Sequence, residues 1–248
     1  MKNRIPENSS SEKRTGLARV LSKMGYCSRS EAEKLVRAGR VQLNGAVPLD
    51  PETPVFMSQD RVAVDGVILQ SAEKVYWVVH KPAGLVTTAD DERGRETVYT
   101  LLPEGTPWMG PVGRLDMASE GLLLMTNDTE WAARITAPES HVEKTYHVQI
   151  GRAADDALLA KLEAGVMDAG DLLRAKRVTL LRDGDKKGWL EIILEEGRNR
   201  QIRRMLEACG IETLRLIRVA IGELALGDLP EGKARLLTKA ERRQLDRS

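Results

Sequence analysis

The spacing of apolar residues near the start of the chain predicts two helices. Apolar side chains recur at intervals of three and four over residues 17–24, as on one face of a helix, and Gly25 ends the run. Ser28 and Glu31 then form a capping-box pattern, which predicts a second helix that stops at Gly39. These two helices are both short, so we expect them to be stabilised by packing on each other and on neighbouring strands.

Alternating apolar residues predict short strands after the helices. The alternation covers residues 41–43 and 62–64, and the dipeptides Asn44-Gly45 and Asp65-Gly66 that follow are typical of tight hairpin turns. Three prolines keep residues 48–54 irregular. The first part of the chain is therefore predicted to be a small helix–helix–strand unit.

The remainder of the chain is richer in strands than in helices. Strands are predicted at residues 75–79, 122–125, 142–150, 177–181, 189–194 and 214–221, and helices at 129–135, 155–162 and around 202–209. The run 122–125 is apolar without alternation, which predicts a strand buried on both faces. The strands on either side of Asp183-Gly184 read as a hairpin. Because no βαβ rhythm is present, we predict an α+β fold with a mainly antiparallel sheet.

Composition limits the class of protein. The chain has 248 residues, of which 42% are hydrophobic and 30% charged, as in a globular protein with two domains. No apolar run reaches the length of a membrane span, and the polar N-terminus carries no signal region, so we expect a cytoplasmic protein without membrane contacts. Cys27 and Cys209 fit no metal or redox spacing, and the three histidines form no ligand pattern, so no metal site is predicted.

Positive charge is concentrated in two segments. The net charge of +1 argues against a generally basic nucleic-acid-binding protein. However, residues 11–47 contain eight Lys and Arg against three Glu, and residues 197–218 contain six Arg against two Glu. Two basic segments on a nearly neutral chain indicate local phosphate binding.

A polar, glycine-bounded loop precedes the buried strand at 122–125. It places Arg114 and Asp116 just before a rigid element, where a site is easily held, although spacing alone favours an ordinary surface ion pair. The run G-R-L-D-x-x-S-E-G-L-L-L-x-T-N-D at 113–128 resembles the catalytic signature of the RsuA-type branch of RNA pseudouridine synthases. Residues 143–148 (E-K-T-Y-H-V) and 196–205 (E-G-R-N-R-Q-I-R-R-M) resemble the same family.

The helix–helix–strand unit resembles the S4 RNA-binding domain. The resemblance rests on C-S-R-S-E-A at 27–32 and V-x-L-N-G at 41–45. It implies that the exposed helix faces bind RNA, whereas without the motif they would read as ordinary solvated faces. The basic residues on these faces are Arg19, Lys23, Arg29, Lys34 and Arg37.

These resemblances set the domain limits that we predict. Residues 1–14 form a disordered arm, 15–66 an S4-like RNA-binding domain, and 67–73 a linker. Residues 74–248 form the pseudouridine synthase catalytic domain. The predicted partners are ribosomal RNA and ribosomal assembly intermediates, and the protein is expected to be a monomer.

The family resemblance also implies the chemistry and its residues. A pseudouridine synthase breaks the N1–C1′ bond of a uridine and rejoins the base through C5, so no cofactor is required. Asp116 matches the catalytic aspartate, acting either as nucleophile at C1′ or as base toward the 2′ position. Arg203 matches its basic partner, and Tyr146 the active-site tyrosine, which stacks on uracil and moves a proton at C5. Ile202 is expected to pack in the core and to line the pocket for the base. Arg114, Arg198 and Arg200 are expected to bind the RNA.

Three polar residues near Asp116 are expected to have supporting roles. Ser119, Glu120 and Asn127 are expected to fix the loop rather than to react. The target uridine must leave its stack before it can react.

One alternative function is a non-catalytic RNA-binding ribosome-assembly factor, which the intact set of Asp116, Tyr146 and Arg203 disfavours. The other is a methyltransferase, which would need a glycine-rich cofactor loop, and the sequence shows none. The sequence leaves open which uridine is modified.

Overall fold

A computed structural model describes residues 14–182, 184 and 186–246. The predicted disordered arm, apart from Arg14, and Asp183 of the predicted hairpin turn therefore lie outside the described residues. Contacts divide the chain into two compact units. The first comprises the chain up to Lys74 together with Pro107–Met109, and the second comprises Val75–Thr106 and the chain from Gly110 onward.

The first unit packs two helices on short strands. Its elements are β1 (Thr15–Gly16), α1 (Leu17–Lys23), α2 (Arg29–Arg37), β2 (Val41–Leu43), β3 (Pro54–Val55), β4 (Val62–Val64) and β5 (Val67–Ile68). The apolar faces of both helices meet one core, which includes Leu17, Leu21 and Val36. The predicted helix–helix–strand unit is therefore confirmed.

Local hydrogen bonds explain the turns and the helix start in this unit. Ser28 Oγ accepts from the Glu31 N–H at 3.1 Å, which is the N-cap half of the predicted capping box. The Asn44-Gly45 turn lies between reciprocal backbone hydrogen bonds of Leu43 and Ala46. The prediction that residues 67–68 belong to a linker is wrong. They form β5 against β4, because the Asp65-Gly66 turn folds the chain straight back.

The second unit is built on a nine-stranded sheet. Its elements are β6 (Tyr76–Lys81), β7 (Gly110–Val112), β8 (Glu120–Thr126), α3 (Thr129–Thr136), β9 (Lys144–Ile150), α4 (Asp156–Ala164), β10 (Val166–Asp168), β11 (Asp171–Leu173), β12 (Arg177–Arg182), β13 (Gly188–Leu194), α5 (Gln201–Ala208), β14 (Thr213–Ile221), β15 (Leu224–Ala225), β16 (Ala234–Leu236) and α6 (Lys239–Leu245). Two 3-10 turns, Val98–Leu101 and Pro138–Ser140, lie between them.

The sheet is mixed but mainly antiparallel. Its main path runs β12-β13-β9-β14-β8-β6-β16, with β15 paired to β14 and β7 to β8, and β10-β11 forms a separate hairpin. The β14–β8 pair is parallel, and the other pairs are antiparallel. The predicted α+β fold is confirmed. In the described residues no helix is long and apolar enough to cross a membrane.

Strand β8 lies inside the unit and is buried along its whole length, as the missing alternation predicts. Leu122 and Leu124 pack with Trp131 of α3 in one core. Leu123 and Met125 face the opposite side and pack with Leu85 and Leu115 in another. A third core lies under α4 and α5 against β9, β13 and β14. The sheet is thus covered on both faces at β8.

Several short elements do not follow from the periodicity of the sequence. The β10–β11 hairpin and β16 have three residues in each strand, too few to show an alternation. Helix α6 is charged over most of its length. Its start nevertheless carries a signal, because Thr238 and Glu241 form a complete capping box.

Gly121 allows β8 and β14 to approach each other. It has φ +105° and is the parallel partner of Arg218. A Cβ atom at this position would lie 2.2 Å from the Arg218 carbonyl oxygen and 2.7 Å from its nitrogen. These neighbours are backbone atoms in the middle of a sheet and cannot turn away.

We expect Gly121→Ala to destabilise the second unit by more than the strain of its positive φ alone would cause, because the added methyl group also meets the backbone of Arg218. The matched control is Gly105→Ala, where φ is +76° but no heavy atom lies within 4 Å of the place that the added methyl group would take. The free energy of unfolding of that control is expected to fall by about 1–2 kcal/mol, because alanine is strained in the left-handed conformation. Urea unfolding followed by circular dichroism measures both losses. Equal losses for the two variants would show that the close approach to Arg218 is unimportant.

Candidate active site

The second unit contains a cavity of about 340 Å³ beside the 113–119 loop. It opens on the face of the sheet that α5 covers, where Ile202 packs with residues of β9, β13 and β14. The size falls in the range of roughly 300–1,000 Å³ that is usual for small-molecule sites. The polar and charged residues that line it are Arg114, Asp116, Ser119, Thr136, Lys144, Tyr146, Arg198, Asn199, Arg200, Gln201 and Arg218.

The backbone around Asp116 is fixed on both sides. Leu115 is buried, and Thr87 Oγ1 donates to its carbonyl oxygen at 2.7 Å. The Ser119 N–H donates to the Asp116 carbonyl oxygen at 2.9 Å, which closes a tight turn. The Asp116 side chain is half-buried and lines the cavity. A loop tied down in this way presents its carboxylate in a defined position.

A buried lysine holds the same loop from below. Lys81 ends β6 with no exposed surface, and its Nζ donates to the carbonyl oxygens of Ser119 at 2.7 Å, Pro82 at 3.0 Å and Met117 at 3.3 Å. Burial lowers the pKa of Lys81 to about 8, against the opposing effect of the carboxylates of Asp116 and Glu120. The sequence pattern predicts only a turn here. The available signal is a lysine that ends an apolar strand before a proline.

The three residues expected to fix the loop have structural contacts. Glu120 is buried and accepts hydrogen bonds from Arg215. The Ser119 carbonyl accepts from Lys81, and Asn127 Oδ1 accepts from the Val75 N–H at 2.9 Å. These contacts agree with supporting roles outside the chemistry.

Arg203 also reaches the loop. It lies on α5, and its Nη2 donates to the Ala118 carbonyl oxygen at 2.8 Å. Burial lowers the pKa of Arg203, and the charge of Arg200 lowers it further. The charge of Asp116 acts in the opposite direction and raises it. Among the described residues no ion pair joins Arg203 and Asp116 directly. The structure therefore brings the two charges near each other but directs this hydrogen bond to the loop backbone.

Tyr146 of β9 faces the cavity. Its ring packs against two of the hydrophobic cores and lines the cavity. His147 does not line the cavity, and its Nε2 lies 3.4 Å from Glu191 Oε2. Ile202 is 3% exposed and contributes both to the core and to the cavity wall. The aromatic ring and the apolar wall are thus adjacent to the Asp116 loop.

The cavity is strongly cationic. Of its described lining residues, five are Lys or Arg and one, Asp116, is a carboxylate. The predicted Arg114, Arg198 and Arg200 are exposed, and Arg198 also pairs with Glu196 at 3.0 Å. The other two cations, Lys144 and Arg218, are not among the predicted site residues. Both lie within strands, where the sequence pattern does not reveal which face is covered.

The predicted RNA-binding residues of the first unit lie on its two helices. Arg19, Arg29, Lys34 and Arg37 are exposed, and Lys23 is half-buried. Arg29 pairs with Glu52 at 2.8 Å and Glu33 at 3.5 Å, and Lys34 pairs with Glu31 at 3.6 Å. Positive charge is therefore present on this surface, although part of it is already paired within the unit.

Comparison with known families supports both parts of the chain. Residues 75–208 match the model of the RNA pseudouridylate synthase family, and residues 15–55 match the model of the S4 domain. The first match covers more than half of the chain and includes Asp116, Tyr146 and Arg203.

Relatives of known family extend over almost the whole chain. The chain is 36% identical to ribosomal large subunit pseudouridine synthase B of Bacillus subtilis over 92% of its own length and 94% of that protein. It is 37% identical to an uncharacterized RNA pseudouridine synthase of Rickettsia conorii, over 87% and 93%. A crystal structure of a pseudouridylate synthase superposes with a TM-score of 0.65 at 30% identity and covers 93% of this chain and 99% of that one. The chain therefore belongs to the RNA pseudouridylate synthase family and is an RNA pseudouridine synthase with an N-terminal S4 domain.

Proposed function

We propose that this protein converts specific uridines of ribosomal RNA to pseudouridine, with Asp116 as the catalytic carboxylate. The observation that carries the proposal concerns the described residues that line the cavity, where one carboxylate lies among five cations next to Tyr146. The relative from Bacillus subtilis is named for the large ribosomal subunit. Ribosomal assembly intermediates are the proposed substrates, because a uridine must be accessible before it can be extruded.

The reaction exchanges bonds without adding atoms. The N1–C1′ bond breaks, the base turns, C5 bonds to C1′, and the proton on C5 is lost while N1 gains one. Asp116 serves either as the nucleophile at C1′ or as the base that removes the 2′ proton. In both routes the carboxylate must lie at the sugar, and the fixed turn at residues 116–119 supports this role because it restricts where the carboxylate can lie.

The detached base needs a closed place in which to turn. Tyr146 provides an aromatic face for stacking, and Ile202 provides an apolar wall. The Tyr146 hydroxyl is the proposed group that moves the proton at C5. Arg203 supports the Asp116 loop through the Ala118 carbonyl and adds positive charge beside the carboxylate.

Phosphates of the RNA are proposed to bind to the exposed arginines of the cavity rim and to the first unit. Arg114, Arg198 and Arg200 are exposed where they line the cavity, as phosphate contacts require. In the S4 domain, which we place at residues 15–66, the candidates are Arg19, Lys23, Arg29, Lys34 and Arg37. A second, electrostatic attachment point would explain how a chain of net charge +1 binds RNA.

We expect Asp116→Asn to abolish pseudouridine formation while folding and RNA binding stay close to wild type. The carboxamide has the same shape but no charge, so the loss should exceed the ~10²–10⁴-fold that proton transfer alone supplies. Carbodiimide mapping of ribosomal RNA after incubation with excess enzyme measures the product.

The control for this experiment is Asp156→Asn, an exposed aspartate in the first turn of α4. It should convert RNA as wild type does. Near-wild-type conversion by Asp116→Asn would exclude Asp116 as catalyst. A wild-type protein that binds ribosomal RNA but never modifies it would instead be the non-catalytic assembly factor.

We expect Tyr146→Phe to bind substrate RNA as wild type does but to react at least about 100-fold more slowly, because stacking needs the ring and proton transfer needs the hydroxyl. Tyr146→Ala should also lose about 1–3 kcal/mol of binding. Single-turnover tritium release from 5-³H-uridine RNA, beside equilibrium binding, separates the two. A Phe variant with wild-type rate would leave Tyr146 as a stacking platform only.

We expect the double variant Arg19→Gln/Arg37→Gln to weaken RNA binding and to make its salt dependence shallower. Each lost phosphate contact should reduce the log–log slope by about 0.7–0.9. Arg177→Gln/Arg182→Gln removes the same charge from exposed positions of β12 and is the control. Identical slopes for the two double variants would show that the S4 helices make no phosphate contact through these arginines.

A further inference from the structure

Two basic side chains lie on the inner wall of the cavity. Arg218 on β14 is 4% exposed, and its Nε donates to the Leu122 carbonyl oxygen at 2.7 Å. Its Nη2 is buried without a hydrogen-bond partner. Lys144 on β9 is half-buried, and its pKa is lowered by burial and then by the charge of Arg218. The charge of Arg218 therefore acts against the charged form of Lys144 in the absence of an anion.

The register of the sheet places both cations beside Tyr146. Arg218 is the direct antiparallel partner of Tyr146, and Lys144 precedes Tyr146 by two residues on the same strand. Cross-strand partners and residues two apart share one face of a sheet. Lys144, Tyr146 and Arg218 therefore face the cavity together, and all three line it with Asp116.

Several polar groups at this wall find no partner among the described residues. Within the described chain no carboxylate forms an ion pair with Lys144 or Arg218, although buried charges are normally paired. Ser119 is 1% exposed and also lines the cavity, and its Oγ has no hydrogen-bond partner. Several unsatisfied donors around one cavity indicate that a ligand rich in acceptors completes it.

The proposed reaction itself produces such a ligand. When N1–C1′ breaks, the electron pair stays with the base, whichever route Asp116 takes. The leaving group is then a uracil anion whose charge is shared among N1, O2 and O4. We infer that Arg218 and Lys144 bind the oxygen atoms of this anion and hold it while it turns to present C5 to C1′.

This inference rests on the proposed function and assigns the two cations to the base rather than to a phosphate. An extruded nucleotide enters a pocket with its base first, and its phosphates stay outside. Arg218 is almost wholly buried, whereas Arg198 and Arg200 are exposed. Arg218 and the half-buried Lys144 accordingly meet the base, and the exposed cations meet the backbone.

The charge balance of the step is complete without another reagent. The base accepts the bonding electrons from C1′, so negative charge develops where the two cations lie. C5 then returns an electron pair to C1′. In the nucleophile route this displaces Asp116 from C1′, and in the other route Asp116 gives the proton back to the 2′ carbon. The C5 proton leaves, and N1 takes up a proton. Stabilising the developing charge lowers the barrier to bond cleavage, as preorganised donors do at an oxyanion.

A change of leaving group tests the inference. Arg218→Met and Lys144→Met are compared with wild type in single turnover on a ribosomal RNA fragment carrying either uridine or 5-fluorouridine at the target. Fluorine stabilises the uracil anion, which then needs less help from the protein. Loss of one donor should slow consumption of uridine by about 10²–10³-fold. With 5-fluorouridine we expect a loss at least about tenfold smaller, measured by chromatography of the digested RNA.

Controls separate this role from a structural one. Lys161→Met, at an exposed position of α4 outside the cavity, should react as wild type with both substrates. Equal losses on uridine and 5-fluorouridine would mean that Arg218 and Lys144 support the fold only, and would overturn the inference. If Arg218→Met does not fold by circular dichroism, the half-buried Lys144 carries the comparison.

A second substrate separates the base from a phosphate. The fragment is made with an uncharged methylphosphonate linkage on either side of the target uridine. If the variants then match wild type, the cations bind phosphate and the inference fails. If the variants stay slower than wild type, the phosphate explanation fails. A wild-type protein that converts no uridine would overturn the proposed function itself, which this design shows separately.

Discussion

The buried ammonium of Lys81 is the contact on which the site depends. It ends β6, and two of its three hydrogen bonds reach the carbonyl oxygens of Met117 and Ser119 in the turn that follows Asp116. The third reaches the carbonyl oxygen of Pro82, its neighbour in the chain. Burying a cation costs free energy unless its donors form hydrogen bonds. Lys81 therefore needs the loop carbonyls as acceptors, and the loop needs Lys81 to hold it in place. The 113–119 loop is thereby tied to the sheet instead of moving as an ordinary surface loop. This is how a loop carboxylate gains the precision that chemistry needs.

Gly121 lies between the strand that carries Lys81 and the strand that carries Arg218. In the sheet its neighbours are Lys81 itself on one side and Arg218 on the other. Because it has no side chain, the backbone of Arg218 comes close enough to form the parallel pair. The strand that carries Arg218 in turn pairs with the strand that carries Tyr146. One glycine therefore sets the distance between the Asp116 loop and the wall where the base is proposed to bind.

Local patterns predicted most of the fold, and the family resemblance identified the motif residues, but neither gave the environment of the charged ones. Periodicity located β8, β9, β14 and α5, and the structure brings Asp116, Tyr146 and Ile202 to one cavity. Lys81, Lys144 and Arg218 were missed because charged residues are usually exposed, and their burial depends on which strands pair. That pairing joins strands that lie far apart in the sequence, such as β9 with β14 and β6 with β8. No local window of sequence contains this information.

The distribution of charge explains how a nearly neutral chain can be specific for RNA. Arginines that are exposed at the cavity can attract phosphates of any sequence, and such contacts position a nucleic acid without reading it. Arg218 is buried and Lys144 is half-buried, so salt screens them less than it screens the exposed arginines. Their effect is therefore confined to a group that has entered the cavity, where the low dielectric strengthens each charge interaction. In the proposed function, the exposed cations thus serve the encounter with RNA, and Lys144 and Arg218 serve the bond that breaks.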